Sequence, residues 1–321
     1  MSARIGYFGK LATRPDFVRS GEQHALGGLL DSWVAATLTE LAGNARWKLH
    51  YDALAPLHFA FVGPCSRHVV AGHLLASGDQ SGRRFPFIAM SALEVTQPQS
   101  FLPASPLALA GAWRQLGDLA AGAQAAADPA GALQALAATA VDSAAVRADH
   151  GGALAAFCAA YDVAALQAML AHDARRYDVR GIVLGIGLLL QPFQSAGGQR
   201  LARSLALPLP HNEALRPAVA AFWLALVAPF LRQRDIELGL FMTALRGEPH
   251  FVVGFGGATP ATLRAIIDPE FGAEQLIAFD DTAWVDDAKD RDPAVQHLAA
   301  CLAQDTLSLR ACADLFHVTF S

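Results

Sequence analysis

From residue 26 onward the apolar positions recur at three- and four-residue spacing: Leu26, Leu29, Leu30, Trp33, Val34, Leu38 and Leu41. That period lays an apolar stripe along a helix of about five turns, ended near Gly43-Asn44. Ser20 and Gln23 precede it with the spacing of a capping box, a serine accepting from the helix start and a later amide reaching back. Shorter apolar runs flank the stripe. Ile5–Phe8 comes before it; Leu57–Val62, His68–Leu75 and Phe85–Ala92 follow as strand candidates. Gly63-Pro64 joins the first two of these as a hairpin, and Ser77–Gly82 has turn composition because Gly, Asp and Ser tolerate its dihedrals. Pro86 has no N–H to donate, so its strand starts there or lies at an edge. A strand, a helix and then consecutive strands predict an α+β fold with a largely antiparallel sheet.

Further along, Pro98, Pro103 and Pro106 predict a break, with a second helix over about 107–127. Alanine dominates Ala120–Ala140, which favours helix by propensity but offers little core volume. This stretch reads as helices bridging two domains, an N-terminal α+β domain over 1–130 and a helix-rich α/β domain over 131–321. In the second half, Gly181–Leu190 is apolar with glycines inside it, and its length leaves strand and buried helix both open. Glu213–Arg234 is apolar nearly all round and predicts a fully buried helix, with Pro217 in its first turn and Pro229 kinking or ending it. Strands are predicted at Ile236–Leu240, His250–Phe255 and Leu276–Phe279, and helices at Pro260–Ile267 and Val295–Leu302. The apolar run Ala218–Leu231 falls short of the roughly 20 residues that span a bilayer.

Composition narrows the function classes. With 53% hydrophobic and 17% charged residues among 321, the chain can bury a sizeable core. A net charge of −5 argues against nucleic acid and against attachment to a membrane through a polybasic surface. The start lacks the apolar core of a secretory signal, which predicts a cytoplasmic protein. Cys65, Cys158, Cys301 and Cys312 form no C-x-x-C and no disulfide framework.

No standard catalytic set emerges. Gly78-x-x-x-Gly82 is followed by Arg83-Arg84-Phe85 rather than the Gly-Lys-Ser/Thr of a phosphate loop. Gly185, Gly187, Gly254, Gly256 and Gly257 form only fragments of a dinucleotide motif and read as turn or packing glycines. There is no Gly-x-Ser-x-Gly elbow, and Ser81 and Ser195 sit in ordinary glycine-bearing turns. His68 and His73, five apart on one strand, point to opposite faces. The acidic run Asp280–Asp292 lacks the ligand order of a calcium loop and predicts a solvated, metal-free loop in which Trp284 is a hint of a partner anchor. The sequence therefore predicts no catalytic residue, no metal and no cofactor.

Polar residues concentrate instead in two short segments. The first, from Gly6 to Arg19, contains Gly6, Phe8, Gly9, Lys10, Leu11, Asp16, Phe17, Val18 and Arg19; the second is Ser81-Gly82-Arg83-Arg84-Phe85-Pro86-Phe87. The first resembles the Gly-x-Phe-Gly-Lys-Leu-Pro, spacer, Gly-Asp-Phe signature of the TagF (ImpM) family, and the second resembles that family's Gly-Arg-x-Phe-Pro block. Ala12 stands where proline is usual and Pro15 where glycine is usual. The resemblance covers roughly residues 1–130 and is weaker over 210–280. It implies an N-terminal longin- or profilin-like fold. It also implies an accessory, post-translational repressor of the bacterial type VI secretion system that binds a forkhead-associated scaffold protein, with no catalytic residues. A structural or assembly subunit of the apparatus is the alternative, and an enzyme using Lys10, Asp16 and Arg83 on a phosphorylated group a more distant one. The two segments are expected to meet, with Asp16 pairing an arginine, Arg83 or Arg84. Lys10 and the remaining arginine would then form a positive patch for an acidic or phosphorylated partner. The competing expectation has Asp16 capping the Phe17 turn while the arginines point into water.

Overall fold

Among the described residues, nine strands join in one sheet: β1 (Gly6–Gly9), β2 (Val18–Arg19), β3 (Leu57–Val62), β4 (His68–Leu75), β5 (Phe87–Glu94), β6 (Ser204–Pro208), β7 (Leu238–Leu245), β8 (Glu248–Gly254) and β9 (Leu276–Ala278). The computed structural model describes residues 3–21, 23–172, 175–194, 201–232, 234–289, 292–304 and 306–320. The spatial order is β9-β6-β8-β7-β3-β4-β5-β1-β2. Neighbours are antiparallel except β9 and β6, which run parallel. At the centre β3 pairs β7 in the register Phe59↔Phe241, so both 1–130 and 131–321 contribute strands to the same sheet. The expected α+β class and hairpin are present.

Alternation along β3 sets the layers. Phe59 and Phe61 face α1 (His24–Leu41), while Ala60 and Val62 face α2 (Pro98–Ala125). On the second face α2 is joined by α3 (Val179–Leu190) and α4 (Arg216–Val227); on the first, α1 meets α5 (Pro260–Ile267). Phe8, Leu30, Trp33, Phe59, Phe61, Val69, Leu74 and Phe87, the residues the two periods select as core, are all buried. Trp33 packs its ring 5.6 Å from Phe59, 5.3 Å from Phe61 and 6.2 Å from Phe241. Its indole N–H donates to the Thr259 carbonyl at 3.2 Å, tying α1 to the turn before α5.

Several elements depart from the sequence pattern, each for a physical reason. Ser20 does not cap α1: its hydroxyl accepts from the Tyr7 amide at 3.1 Å, extending the β1–β2 pairing. Gln23 precedes the helix in the left-handed region (φ 56°) with no side-chain cap bond. Glu22 lies outside the described residues. Helix α2 begins at Pro98 rather than near residue 107, because proline is at home in a first turn. Pro106 deprives the Leu102 carbonyl of its usual amide, and the Ser105 hydroxyl donates to that carbonyl at 2.9 Å instead. The undecided run 181–190 is helix: a Cβ at Gly187 would sit 2.1 Å from the Phe320 ring and one at Gly185 would sit 2.8 Å from Phe279. Those glycines spend helix propensity to admit aromatic rings.

The acidic run is not a loop either. Ala283–Lys289 is helical, with Lys289 pairing Asp286 one turn back at 2.9 Å, and Trp284 lies partly against Gly185 of α3. Asp290 and Arg291, like Ser195, lie outside the described residues. The buried helix carries Pro217 in its first turn as expected, while Pro229 turns its end into a short 3-10 stretch, Ala228–Leu231. Taken together, Glu213–Leu231 is long and apolar enough by composition to cross a membrane, but most of it is buried against the rest of the protein.

Candidate partner-binding site at the sheet edge

The two signature segments meet because β1 and β5 are neighbours in the sheet, with Gly9 opposite Phe87. Gly9 has φ 129°, and a Cβ there would lie 2.0 Å from the Pro86 carbonyl oxygen. Only glycine fits so close to the neighbouring backbone. Gly6 plays a similar part beside α1, where a Cβ would come within 2.9 Å of the Gln23 side chain. Phe8 is buried between them with its ring edge toward Phe85.

Beyond β1 the chain is laced to the turn before β5. The Ser77 hydroxyl donates to the Lys10 carbonyl at 2.7 Å, the Gln80 amide to the Arg14 carbonyl at 2.9 Å, and the Arg83 guanidinium to the Pro15 carbonyl at 3.1 Å. Pro15 is accommodated because its carbonyl makes the bond, and its missing N–H is not called on. Tyr51 closes the base, its hydroxyl donating to the Ser77 carbonyl at 3.0 Å, and burial pushes its ionisation well above the usual range.

At the centre of this lacing is Asp79. Its buried carboxylate accepts from Lys10 Nζ at 2.9 Å and Arg83 Nε at 2.7 Å, and from the backbone amides of Ser81 and Arg83 at 3.0 Å each. Gly82 supplies the positive φ (75°) that lets the turn wrap around it. Burial alone would raise the Asp79 pKa; Lys10, the Arg83 amide and the Arg83 guanidinium outweigh it and hold the carboxyl far below the ordinary range. Charge-assisted bonds of this kind are the stronger class and fix both loops in one conformation.

The expected pairing of Asp16 with Arg83 or Arg84 does not form. Asp16 is exposed and accepts from the Phe17 amide at 2.8 Å, the local cap that a short carboxylate makes most readily. Arg84 instead holds Asp52 through two bonds, at 2.7 and 2.5 Å, and lowers its pKa. Lys10 is turned inward, so the outward positive charge of the clamp comes from Arg83, whose side chain is 63% exposed. Above the clamp sits Phe17, half-exposed, edge-on to Phe85 at 4.8 Å, with Lys10 and Arg19 each facing its ring at 5.0 and 5.8 Å. Arg19 in turn pairs Asp31 at 2.6 Å, and Arg14 pairs Asp128 at 2.8 Å. What the surface offers is an aromatic edge flanked by guanidinium groups, a combination suited to a carboxylate- or phosphate-bearing partner.

Asp79 is the residue that sequence reasoning passed over. Its turn composition hid it, although it is the only acidic residue between Asp52 and Glu94 and so the only nearby carboxylate for Lys10 within that stretch. Among the described residues, no group of three or more His, Cys, Asp or Glu side chains could hold a metal.

Comparison with known proteins comes to the same segments. Residues 6–140 match the family model of the TagF N-terminal domain, described as type VI secretion system-associated. A solved structure, PA0076 from Pseudomonas aeruginosa PAO1, is 25% identical and is matched over 41% of this chain and 61% of that one, with a TM-score of 0.35. The match thus spans less than two thirds of that protein. No curated protein matches the chain.

Proposed function

We propose that this chain, whose residues 6–140 match the TagF N-terminal domain of type VI secretion-associated proteins, is a post-translational repressor of type VI secretion. It acts in the cytoplasm by binding rather than by catalysis, and its partner is a forkhead-associated scaffold protein. The observation that carries this reading is the family match over 6–140, which contains both signature segments and the clamp that joins them. The outward residues Phe17, Arg19 and Arg83 are the contact surface, and Gly6, Phe8, Gly9, Lys10, Asp79, Phe85 and Pro86 hold that surface in shape.

Sequestration has a stoichiometric signature. A repressor that works by occupying an assembly factor acts near one-to-one, whereas an enzyme acts at trace amounts. The test is crosslinked affinity purification from cells with type VI secretion active, beside a titration of repressor dose against secretion. Recovery of a forkhead-associated protein, lost with Phe17→Ala or Arg83→Ala, supports the reading. Its absence under crosslinking, or full repression at trace dose, overturns it. Sedimentation of the chain with the assembled apparatus would favour a structural subunit instead.

A further inference from the structure

A cavity of about 750 Å3 opens between α2, the residues leading into α4, and strands β3, β4 and β7. Its volume lies in the roughly 300–1,000 Å3 range of small-molecule sites. No sequence motif marks it, and the secretion reading does not use it.

On the sheet wall of this cavity two histidines face each other across the hairpin. His58 is directly opposite His73 in the β3–β4 register, and their Nδ1 atoms are 3.0 Å apart. A neutral imidazole carries one N–H and one bare nitrogen. An Nδ1-to-Nδ1 hydrogen bond therefore needs one ring protonated at Nδ1 and the other bare there. The first ring then has a bare Nε2, and the second has an Nε2–H. The pair must show one donor and one acceptor beyond itself, whichever ring holds which proton. Among the described residues neither Nε2 has a partner, and neither is sealed off inside the protein, although His73 is only 5% exposed. Burial, reinforced for His58 by its neighbour, pulls His58 down to about 3 and His73 to about 4, so both rings are neutral at physiological pH.

The charges around the pair cancel. Arg114 and Asp118 come from α2, Glu213 from the approach to α4 and Arg216 from its first turn. Arg216 is held in place by the Pro210 and His211 carbonyls and by Glu213 at 3.1 Å, while Arg114 has no partner among the described residues. His211, also on the rim, is paired with Glu248 at 2.9 Å. Trp113 and Met242 supply apolar wall.

We infer that this cavity binds a neutral, hydroxyl-rich small molecule of the sugar or nucleoside class, held by the Nε2 atoms of His58 and His73 and by Arg114. A hydroxyl both donates and accepts, so it satisfies the pair in either proton arrangement. A carboxylate or sulfate only accepts; it would leave a lone pair facing the bare Nε2 and force a proton onto rings that burial keeps neutral. An ammonium only donates and fails at the N–H.

The test uses the full chain, labelled with 15N, and reads the imidazole nitrogens by long-range proton–nitrogen spectra. The neutral probes are glucose, N-acetylglucosamine, ribose and adenosine; the anionic probes are sulfate and acetate. The expected result is a saturable shift of both Nε2 signals with at least one neutral probe and none with the anions. Arg114→Ala, which breaks no described contact, should weaken that binding roughly tenfold, the loss of one charge-assisted hydrogen bond. Ala121→Trp fills the cavity from an exposed lining position and should abolish binding with the melting temperature unchanged. His73→Phe should do the same if it folds. Saturation by no neutral probe, a stronger response to the anions, or binding that survives Ala121→Trp each overturns the proposal. This outcome is independent of any result with the secretion machinery.

Discussion

Replacing Trp33 by alanine tests the layered packing at the point where it is most concentrated. The indole is 4% exposed, touches three phenylalanines of β3 and β7, and donates to the Thr259 carbonyl. Truncating a buried tryptophan costs about 3–5 kcal/mol in transfer and cavity terms. The lost hydrogen bond adds about 1 kcal/mol, less whatever water recovers at the partly exposed carbonyl. The upper half of the first range, about 4–5 kcal/mol, is therefore expected. At roughly 2 °C per kcal/mol for a chain of this size, the melting temperature should fall by about 8–10 °C. Scanning calorimetry and urea titration of parent and variant measure it, and Trp33→Phe should recover more than half of the loss. A melting temperature within about 2 °C of the parent would refute the claim that α1 and α5 are docked on β3 and β7 through this ring.

Other expectations follow from single features. Asp79 has a folded pKa below its unfolded value, so its contribution is complete above about pH 4 and is lost as pH falls further. Asp79→Asn should thus lower stability at pH 7 and flatten the parent's loss of melting temperature between about pH 4 and 2. An equally steep acid loss in the variant would show that other carboxylates govern it. Gly9→Ala forces a positive φ on a residue with a side chain and drives its Cβ into the Pro86 carbonyl, at a cost of about 1–3 kcal/mol from the dihedral alone; chemical denaturation should show at least that. A thiol reagent should label exposed Cys65 in the native protein, while Cys158 and Cys312, buried and pushed up to about 11 and about 12, should react only on unfolding.

Local rules reached far in the first ninety residues and less far beyond them. The stripe of α1 and the alternation in β3 to β5 are written in periods that each element shows by itself. The start of α2 is not, because the rule that proline ends a helix ignores what Ser105 can do for an orphaned carbonyl. Helix α3 was undecidable for the reverse reason: its glycines look like breakers until Phe279 and Phe320, about a hundred residues away and more, are seen to fill the space. At the site, the resemblance marked the right segments but not the carboxylate that joins them. Asp79 belongs to a turn whose composition is ordinary, and its role depends on β1 and β5 being neighbours. The His58–His73 pair was hidden in the same way. Their separation along the chain suggests nothing until the hairpin register sets them opposite each other.

The seam between β3 and β7 also has a history in time. Val62 is made about 175 residues before Leu238, the residue it pairs. At synthesis rates of about 5–20 residues per second, roughly 10–35 s pass before that partner strand exists. During that interval β3 is an open edge with Phe59 and Phe61 uncovered by β7, in a hairpin whose other strand is already available. An apolar edge of that kind pairs readily with another chain. A ribosome stalled after the hairpin, or a truncation before residue 238, would therefore yield a species whose free edge matches a second copy of itself, and its fate would be set by crowding at the site of synthesis.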